Sequence, residues 1–187
     1  VQELIEQDGK LVAALTVNGD RYEADWFISD AHPTVTVDLV KESSKIKKVY
    51  RRRIHSLANT YGMFTTSLIL KPETLKYFNW NQYIYKKPNV WTYYLDNEPV
   101  SGVLVCCRVP EEGSEYTRYV DIVTPMPWDK VAQWSDTIVG HRGDEYRAFK
   151  ERKADECLAL AETFIPGLRD MVDARFSSSP FTCRDSP

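Results

Sequence analysis

Glycine is scarce in this sequence, and no glycine-rich phosphate-binding turn is present. The chain has 187 residues but only eight glycines, which is below the roughly 7 % that is usual. No two of them form a G-x-G pattern. A dinucleotide-binding turn needs closely spaced glycines, because the backbone must approach the pyrophosphate. These residues therefore cannot supply such a turn.

Long apolar runs and the common catalytic signatures are missing as well. No window reaches the ~18 apolar residues of a membrane-spanning helix, and no secretory signal pattern opens the chain. The patterns G-x-S-x-G, H-E-x-x-H and C-x-x-C do not occur, which argues against a serine hydrolase and against a zinc site. A net charge of −3 argues against a dedicated nucleic-acid-binding protein. We expect no metal and no catalytic acid, base or nucleophile.

The four cysteines are predicted to be reduced packing thiols rather than a disulfide framework. They are Cys106, Cys107, Cys157 and Cys183. Their spacing matches neither a zinc site nor a small disulfide scaffold, so the expected setting is cytoplasmic.

The first thirty residues are predicted to form a three-stranded antiparallel meander. Asp8-Gly9 and Asn18-Gly19 are dipeptides that favour two-residue hairpin turns. The expected strands lie near Glu3–Gln7, Leu11–Val17 and Tyr22–Ser29. The last contains Trp26-Phe27-Ile28, a run without alternation that predicts burial on both faces.

The rest of the chain predicts an antiparallel sheet flanked by helices. Residues 61–71, 100–109 and 116–124 are rich in β-branched and apolar types, and Glu111-Glu112-Gly113 would join the last two as a hairpin. Asp144 can cap a long amphipathic helix, and 174–183 predicts a terminal strand. The expected fold class is α+β, a sheet with flanking helices after a three-stranded meander.

A basic segment lies between these two regions. Lys41–Arg53 holds seven Lys or Arg residues and one acid, a net charge of +6. Ile46, Val49, Tyr50 and Leu57 fall on one stripe of a predicted helix. The segment is either the solvated side of an amphipathic helix or a peripheral contact with anionic lipid headgroups.

Residues 77–94 hold eight of the 23 aromatic residues. Such a density is typical of core and lid packing over an antiparallel sheet. The alternative is the wall of a pocket for a long apolar substrate, since Trp and Tyr offer large contact areas.

Five blocks resemble one enzyme family in order and spacing. They are NGDRYEADWFISDAHP at 18–33, TPMPW at 124–128, Arg142-Gly143 with Tyr146 and Lys150, IPGL at 165–168, and SPFT at 179–182. Together they resemble FAD-dependent oxidoreductases of the phytoene desaturase and retinol saturase (all-trans-retinol 13,14-reductase-like) family, over nearly the whole chain.

The resemblance implies an internal part of a longer flavoprotein, inactive alone. Residues 1–40 would belong to the FAD domain, 41–176 to the substrate-binding domain, and 177–187 would begin the return to the FAD domain. The parent enzyme would act on C–C bonds of a lipophilic, polyene or lipid-like substrate by hydride transfer with flavin. FAD would be bound by the parent and not by this chain alone, near Val1, Ser29, Asp30 and Ala31.

The resemblance also implies an apolar channel for the substrate. The residues expected to line it are Tyr61, Phe64, Tyr83, Tyr85, Trp91, Tyr93, Met126 and Trp128. Two other functions stay open at this point. One is a free-standing lipid or small-molecule binding module without redox activity, and the other is an interaction domain that pairs through exposed strand edges.

Overall fold

The computed structural model describes residues 1–185, except for the side chains of Asp96 and Cys183. The chain forms two compact units, Val1–Asn59 and Thr60–Pro187. The position predicted as a domain boundary, between residues 40 and 41, falls within the first unit.

The first unit begins with the predicted meander. Strands β1 (Glu3–Gln7), β2 (Lys10–Leu15) and β3 (Arg21–Glu23) form an antiparallel sheet in that order. Asp8 and Gly9 both have positive φ, 50° and 77°, as a two-residue hairpin turn requires. The prediction for the second turn was wrong, because five residues separate β2 from β3 and the Asp20 N–H donates to the Thr16 hydroxyl.

The predicted third strand is much shorter than expected. It ends at Glu23, and the run Trp26-Phe27-Ile28 lies outside it. Trp26 is 88 % exposed and Ile28 is 99 % exposed, so the prediction of a strand buried on both faces was wrong for these residues. A continuous apolar run indicates burial only where other elements cover both of its sides.

Two short helices complete the first unit. Helix α1 (Pro33–Leu39) begins with a proline, and helix α2 (Lys48–His55) lies in the basic segment. The Arg51 guanidinium donates to the carbonyls of Val37 and Val40 and so joins the two helices.

The second unit contains a five-stranded antiparallel sheet. Its strands are β4 (Gly62–Leu70), β5 (Gln82–Tyr85), β6 (Gly102–Cys107), β7 (Tyr119–Met126) and β8 (Val172–Ser178). Their order across the sheet is β5-β6-β7-β4-β8. Strands β6 and β7 pair as the predicted hairpin.

Helices cover one face of this sheet. Helix α3 (Gly143–Ala161) contacts β4, β6, β7 and β8 and buries Tyr146, Ala154, Cys157 and Leu158 in the core. Short helical turns at Tyr93–Asp96, Trp128–Lys130 and Ala132–Trp134, and helix α4 (Leu168–Met171), connect the elements. The predicted strand over 174–183 ends at Ser178, and helix α5 (Pro180–Asp185) follows it.

The fold is α+β, with a three-stranded antiparallel sheet followed by a five-stranded antiparallel sheet flanked by helices. This confirms the predicted fold class. Within the described residues, no helix has the length and apolar character needed to cross a bilayer.

Candidate functional site

Strict alternation along β4 separates a helix-covered face of the large sheet from an open face. Phe64, Thr66, Leu68 and Leu70 are buried, whereas the residues between them are partly or largely exposed. Successive side chains of a strand point to opposite faces. The open face is therefore the one that carries Met63, Thr65, Ser67 and Ile69 of β4.

The strand register extends this open face over all five strands. Thr65 pairs with Val123 and Ser178, Val123 pairs with Leu104, and Leu104 pairs with Tyr83. Directly paired residues share a face, so this row crosses the whole sheet. Tyr83 at one edge is 56 % exposed, and Phe176 at the other edge is 60 % exposed.

Four tyrosines form a cluster at one end of the open face. In this tyrosine cluster, the rings of Tyr61 and Tyr94 lie 4.5 Å apart and those of Tyr85 and Tyr93 lie 5.1 Å apart. Burial raises the pKa of Tyr93 to about 12, and the neighbouring hydroxyls of Tyr85 and Tyr61 add to the rise. The Tyr93 phenol is thus neutral at physiological pH and offers a hydrogen-bond donor beside apolar ring faces.

The open face also carries a carboxylate, that of Asp121. Asp121 accepts a hydrogen bond from the Ser67 hydroxyl at 2.6 Å and pairs with the Arg108 guanidinium at 3.0 Å. Its charge is thereby balanced. A face of this composition can bind and orient an apolar molecule.

Four of the residues that were predicted to line a channel lie on the open face. Tyr61, Tyr85 and Tyr93 belong to the tyrosine cluster, and Tyr83 lies in the row described above. Trp91 is exposed in the loop after β5.

The remaining predicted channel residues lie elsewhere. Phe64 and Met126, with 0 % and 4 % exposure, belong to the core beneath the helices, so they cannot line a channel on the open face. Trp128 packs edge-on against Phe181 of α5, with ring centroids 5.0 Å apart. A strand's two faces alternate, and residue type alone did not indicate which face the helices cover.

Several open-face residues were missed by sequence reasoning. They are Leu104, Tyr119, Val123 and Phe176. The alternating pattern of the terminal strand carried the signal for Phe176. Pairing partners on other strands could be found only from the register.

The predicted cofactor residues lie in the first unit. Val1, Ser29, Asp30 and Ala31 are all exposed. The Ser29 hydroxyl is 2.7 Å from the Thr36 hydroxyl, which also donates to the Ala31 carbonyl. These contacts hold the bend before α1. All four residues are exposed, and Ser29 and Ala31 are already engaged by Thr36. They do not by themselves fit FAD, whose rings and pyrophosphate need an enclosing site.

The first unit also carries a broad cleft beside the exposed run. Its volume is about 1010 Å³, and its walls include Lys10, Leu11, Arg21, Trp26 and Phe27. This cleft exposes the apolar rings that were predicted to be buried.

The thiols and the acidic groups form no metal-ion cluster among the residues that the structure describes. Cys106, Cys107 and Cys157 are free. Burial raises the pKa of all three, to about 11 for Cys107 and about 12 for Cys157. Within residues 1–185, no group of three or more His, Cys, Asp or Glu side chains could hold a metal ion.

No protein-family model, curated protein or solved structure matches this chain.

Proposed function

We propose that this chain is the substrate-binding portion of an FAD-dependent oxidoreductase that acts on C–C bonds of a lipophilic, polyene or lipid-like substrate. The observation that carries the proposal is the open face of the five-stranded sheet, where exposed or partly exposed aromatic and apolar side chains adjoin the tyrosine cluster. The five blocks that resemble the phytoene desaturase and retinol saturase family support it further.

The composition of the open face suits an apolar chain. Tyr83 and Phe176 expose large rings at opposite edges of the sheet, and Leu104 and Val123 lie between them. Removing such surface from water contributes roughly 25 cal/mol per Å². The neutral Tyr93 hydroxyl can donate one hydrogen bond to a polar end group of the substrate.

In this proposal the chain binds the substrate, orients it and excludes water from it, and it needs no acid or base of its own. Flavin supplies hydride chemistry when it is bound. The exposed Val1 and Ser29–Ala31 do not enclose a cofactor, so the flavin cradle is assigned to sequence outside these 187 residues. A strand followed by G-x-G-x-x-G upstream of Val1 in the reading frame would be expected.

A binding measurement tests the proposal directly. All-trans-retinol, used as a polyene probe, should quench the fluorescence of the purified chain in a saturable way. Replacing the two exposed rings at opposite edges of the sheet (Tyr83→Ser with Phe176→Ser) should raise the Kd at least tenfold. The matched control, Val109→Ser, changes an exposed residue outside the sheet and should leave the Kd unchanged.

Two results would contradict the proposal. One is the absence of saturable retinol binding, or equal binding by the double variant. The other is co-elution of FAD with the chain in gel filtration, because it would place the cofactor site within these residues.

A second candidate, lipid binding without redox activity, is favoured by helix α2. Val49 and Tyr50 are exposed on this helix between cationic side chains. Lys47, Lys48, Arg52 and Arg53 have no acidic partner within 4 Å among residues 1–185. Apolar side chains within a cationic surface are typical of helices that lie on anionic membranes. In this reading Lys41–Arg53 contacts the membrane peripherally.

A further inference from the structure

A separate cleft lies on the helical side of the second unit. It has a volume of about 390 Å³ and lies between the loop before α3, the first turns of α3, and α5. Its walls include Arg142, Tyr146, Arg147, Lys150, Phe181 and Asp185. None of these residues belongs to the open face, so this α3–α5 cleft is distinct from the site proposed above.

The cleft walls carry an excess of positive charge. Arg142, Arg147 and Lys150 face one lining acid, Asp185. Asp185 is already engaged by two cations, because it pairs with the Arg142 guanidinium and with Arg184 at 2.6 Å. Its carboxylate therefore neutralises no further cation in the cleft.

Arg142 is a fixed part of the wall. Its side chain is 6 % exposed, and its guanidinium donates to the Thr137 carbonyl at 2.9 Å and to the Thr137 hydroxyl at 2.8 Å. It also lies over the Phe181 ring, 4.1 Å from the centroid. These contacts, together with its ion pair with Asp185, fix the Arg142 guanidinium in the wall of the cleft.

Lys150 lacks the partners that Arg142 has. Its ammonium lies 5.8 Å from the centre of the Tyr146 ring, and the Arg142 guanidinium lies 5.7 Å from the centre of the same ring. Lys150 is half-buried, yet no carboxylate or carbonyl in the described part of the chain accepts a hydrogen bond from it. Burial and the charge of Arg142 lower the pKa of Lys150, against the opposing effect of Glu151.

Asp185 compensates Arg142, whereas the partly desolvated Lys150 ammonium has no hydrogen-bonded anion, which is unfavourable unless a bound anion compensates it. Arg147, whose ion pair with Asp144 is on the exposed surface, can turn toward the same anion at little cost. The cleft is also much larger than a bare oxyanion needs, and its volume lies in the range of small-molecule sites. Val139, Tyr146 and Phe181 supply its apolar walls.

We propose that the α3–α5 cleft binds a small organic anion, whose carboxylate or phosphate group contacts Lys150 and Arg147 while its apolar body lies against Tyr146 and Phe181. The site is independent of the proposed oxidoreductase function. The shared chemistry is one anionic group on a compact apolar molecule.

Calorimetric titration at low salt tests the site with three probes: phenyl phosphate, benzoate and inorganic phosphate. Phenyl phosphate or benzoate should bind with a stoichiometry of one, at least tenfold more tightly than inorganic phosphate. Preference for phenyl phosphate identifies a phosphate ligand, and preference for benzoate identifies a carboxylate ligand. Either result supports the proposal.

A pair of lysine variants locates the site. Lys150→Gln should weaken binding of the preferred probe at least tenfold. Lys76→Gln removes the same charge from an exposed position outside the cleft and should leave binding within twofold of the parent. Thermal unfolding of both variants checks that each is folded.

Three outcomes would overturn the proposal. They are no binding of either organic anion, equal affinity for inorganic phosphate and the organic anions, and equal loss of affinity in the two lysine variants. The last would indicate non-specific attraction to lysine side chains rather than a built site.

Discussion

Gly102 lies directly beneath the ring of Tyr93. A Cβ atom at Gly102 would be 2.6 Å from Cε2 of Tyr93 and 2.8 Å from Cδ1 of Tyr85. Real Cβ atoms do not approach other atoms so closely, so the absence of a side chain at Gly102 is what lets the two rings rest on β6. The tyrosine cluster thus depends on a residue that has no side chain of its own.

Gly102→Ala should displace the Tyr85 and Tyr93 rings. Inserting a methyl group into a filled space costs about 1–3 kcal/mol, and we expect a loss of this size in urea unfolding. If the tyrosine cluster forms one end of the substrate site, retinol binding should weaken at least fivefold in the same variant.

Gly62→Ala provides the matched control. A Cβ at Gly62 would be 2.9 Å from Cβ and Cγ of Pro180, on the helix-covered side of the sheet. This variant should lose similar stability while its retinol Kd stays unchanged. Unchanged retinol binding by Gly102→Ala would exclude the tyrosine cluster from the site.

Lys153 is the one lysine with a nearly inaccessible side chain among the ion pairs of the described residues. It is 2 % exposed, and its ammonium pairs with Glu98 and with Glu156, the latter at 2.9 Å. Glu156 also accepts the Val100 N–H at 3.0 Å. This group joins α3 to the segment that leads from the tyrosine cluster into β6.

Lys153→Met should destabilise the second unit by about 3 kcal/mol, because removing one partner of a buried ion pair leaves the other charges uncompensated. Lys150→Met is the control, three residues earlier on the same helix. Lys150→Met should lower the free energy of unfolding by less than about 1 kcal/mol, since Lys150 stabilises no carboxylate through an ion pair. Urea unfolding measures both.

A second substitution tests the charge argument further. Adding Glu98→Gln to Lys153→Met removes one of the two stranded carboxylates and should restore part of the lost stability. Equal stability of Lys153→Met and Lys150→Met would contradict a stabilising role for the buried group.

Local patterns were sufficient to predict most of the elements. The Asp8-Gly9 turn, α3 and the alternating strand β4 each depend on the residues of that segment alone. A period of two or of 3.6 residues records which side chains share a face. The α+β fold class followed from these local elements, without any long-range information.

The choice of face could not be predicted in the same way. Met63 and Phe64 are adjacent in β4, and both are suitable for a core or for an apolar site. Only the packing of α3 decides that Phe64 is buried and that Met63 lies on the open face. Likewise, Tyr146 and Lys150 belong to one of the five family-like sequence blocks. That they line one cleft with Phe181 of α5 depends on the tertiary fold.

The thiols should react slowly in the native protein. Burial raises the pKa of Cys106, Cys107 and Cys157, and a raised pKa leaves less of the reactive thiolate at any pH below it. In a Cys183→Ser variant, labelling with a disulfide reagent at pH 8 should be at least tenfold slower than in denaturant. Below the pKa of Cys106 and Cys107, the labelling rate of these two thiols should rise about tenfold per pH unit.

The three cysteines should differ in how fast they are labelled. Cys157 should stay unlabelled until the protein unfolds, because it is fully buried, whereas Cys106 and Cys107 should label first. Peptide mapping of the labelled protein distinguishes them. Labelling of the native protein at the denatured rate would contradict the pKa shifts.

Helix α2 predicts salt-sensitive binding to anionic vesicles. At low salt the chain should cosediment with vesicles that contain phosphatidylserine and not with pure phosphatidylcholine vesicles, because each cation near an anionic surface contributes about 1 kcal/mol. Replacing Lys47, Lys48 and Arg52 by Gln should therefore weaken binding on the order of 100-fold. Val49→Ser should weaken it less, through the lost apolar contact.

The matched control replaces Lys86, Lys130 and Arg152 of the second unit by Gln, which changes the net charge equally. This control should retain vesicle binding, because the three residues do not belong to the cationic segment that is proposed to contact the headgroups. The absence of binding at low salt would remove α2 as a membrane contact. An equal loss of vesicle binding in both triple variants would show that the overall number of cations, rather than this helix, governs binding.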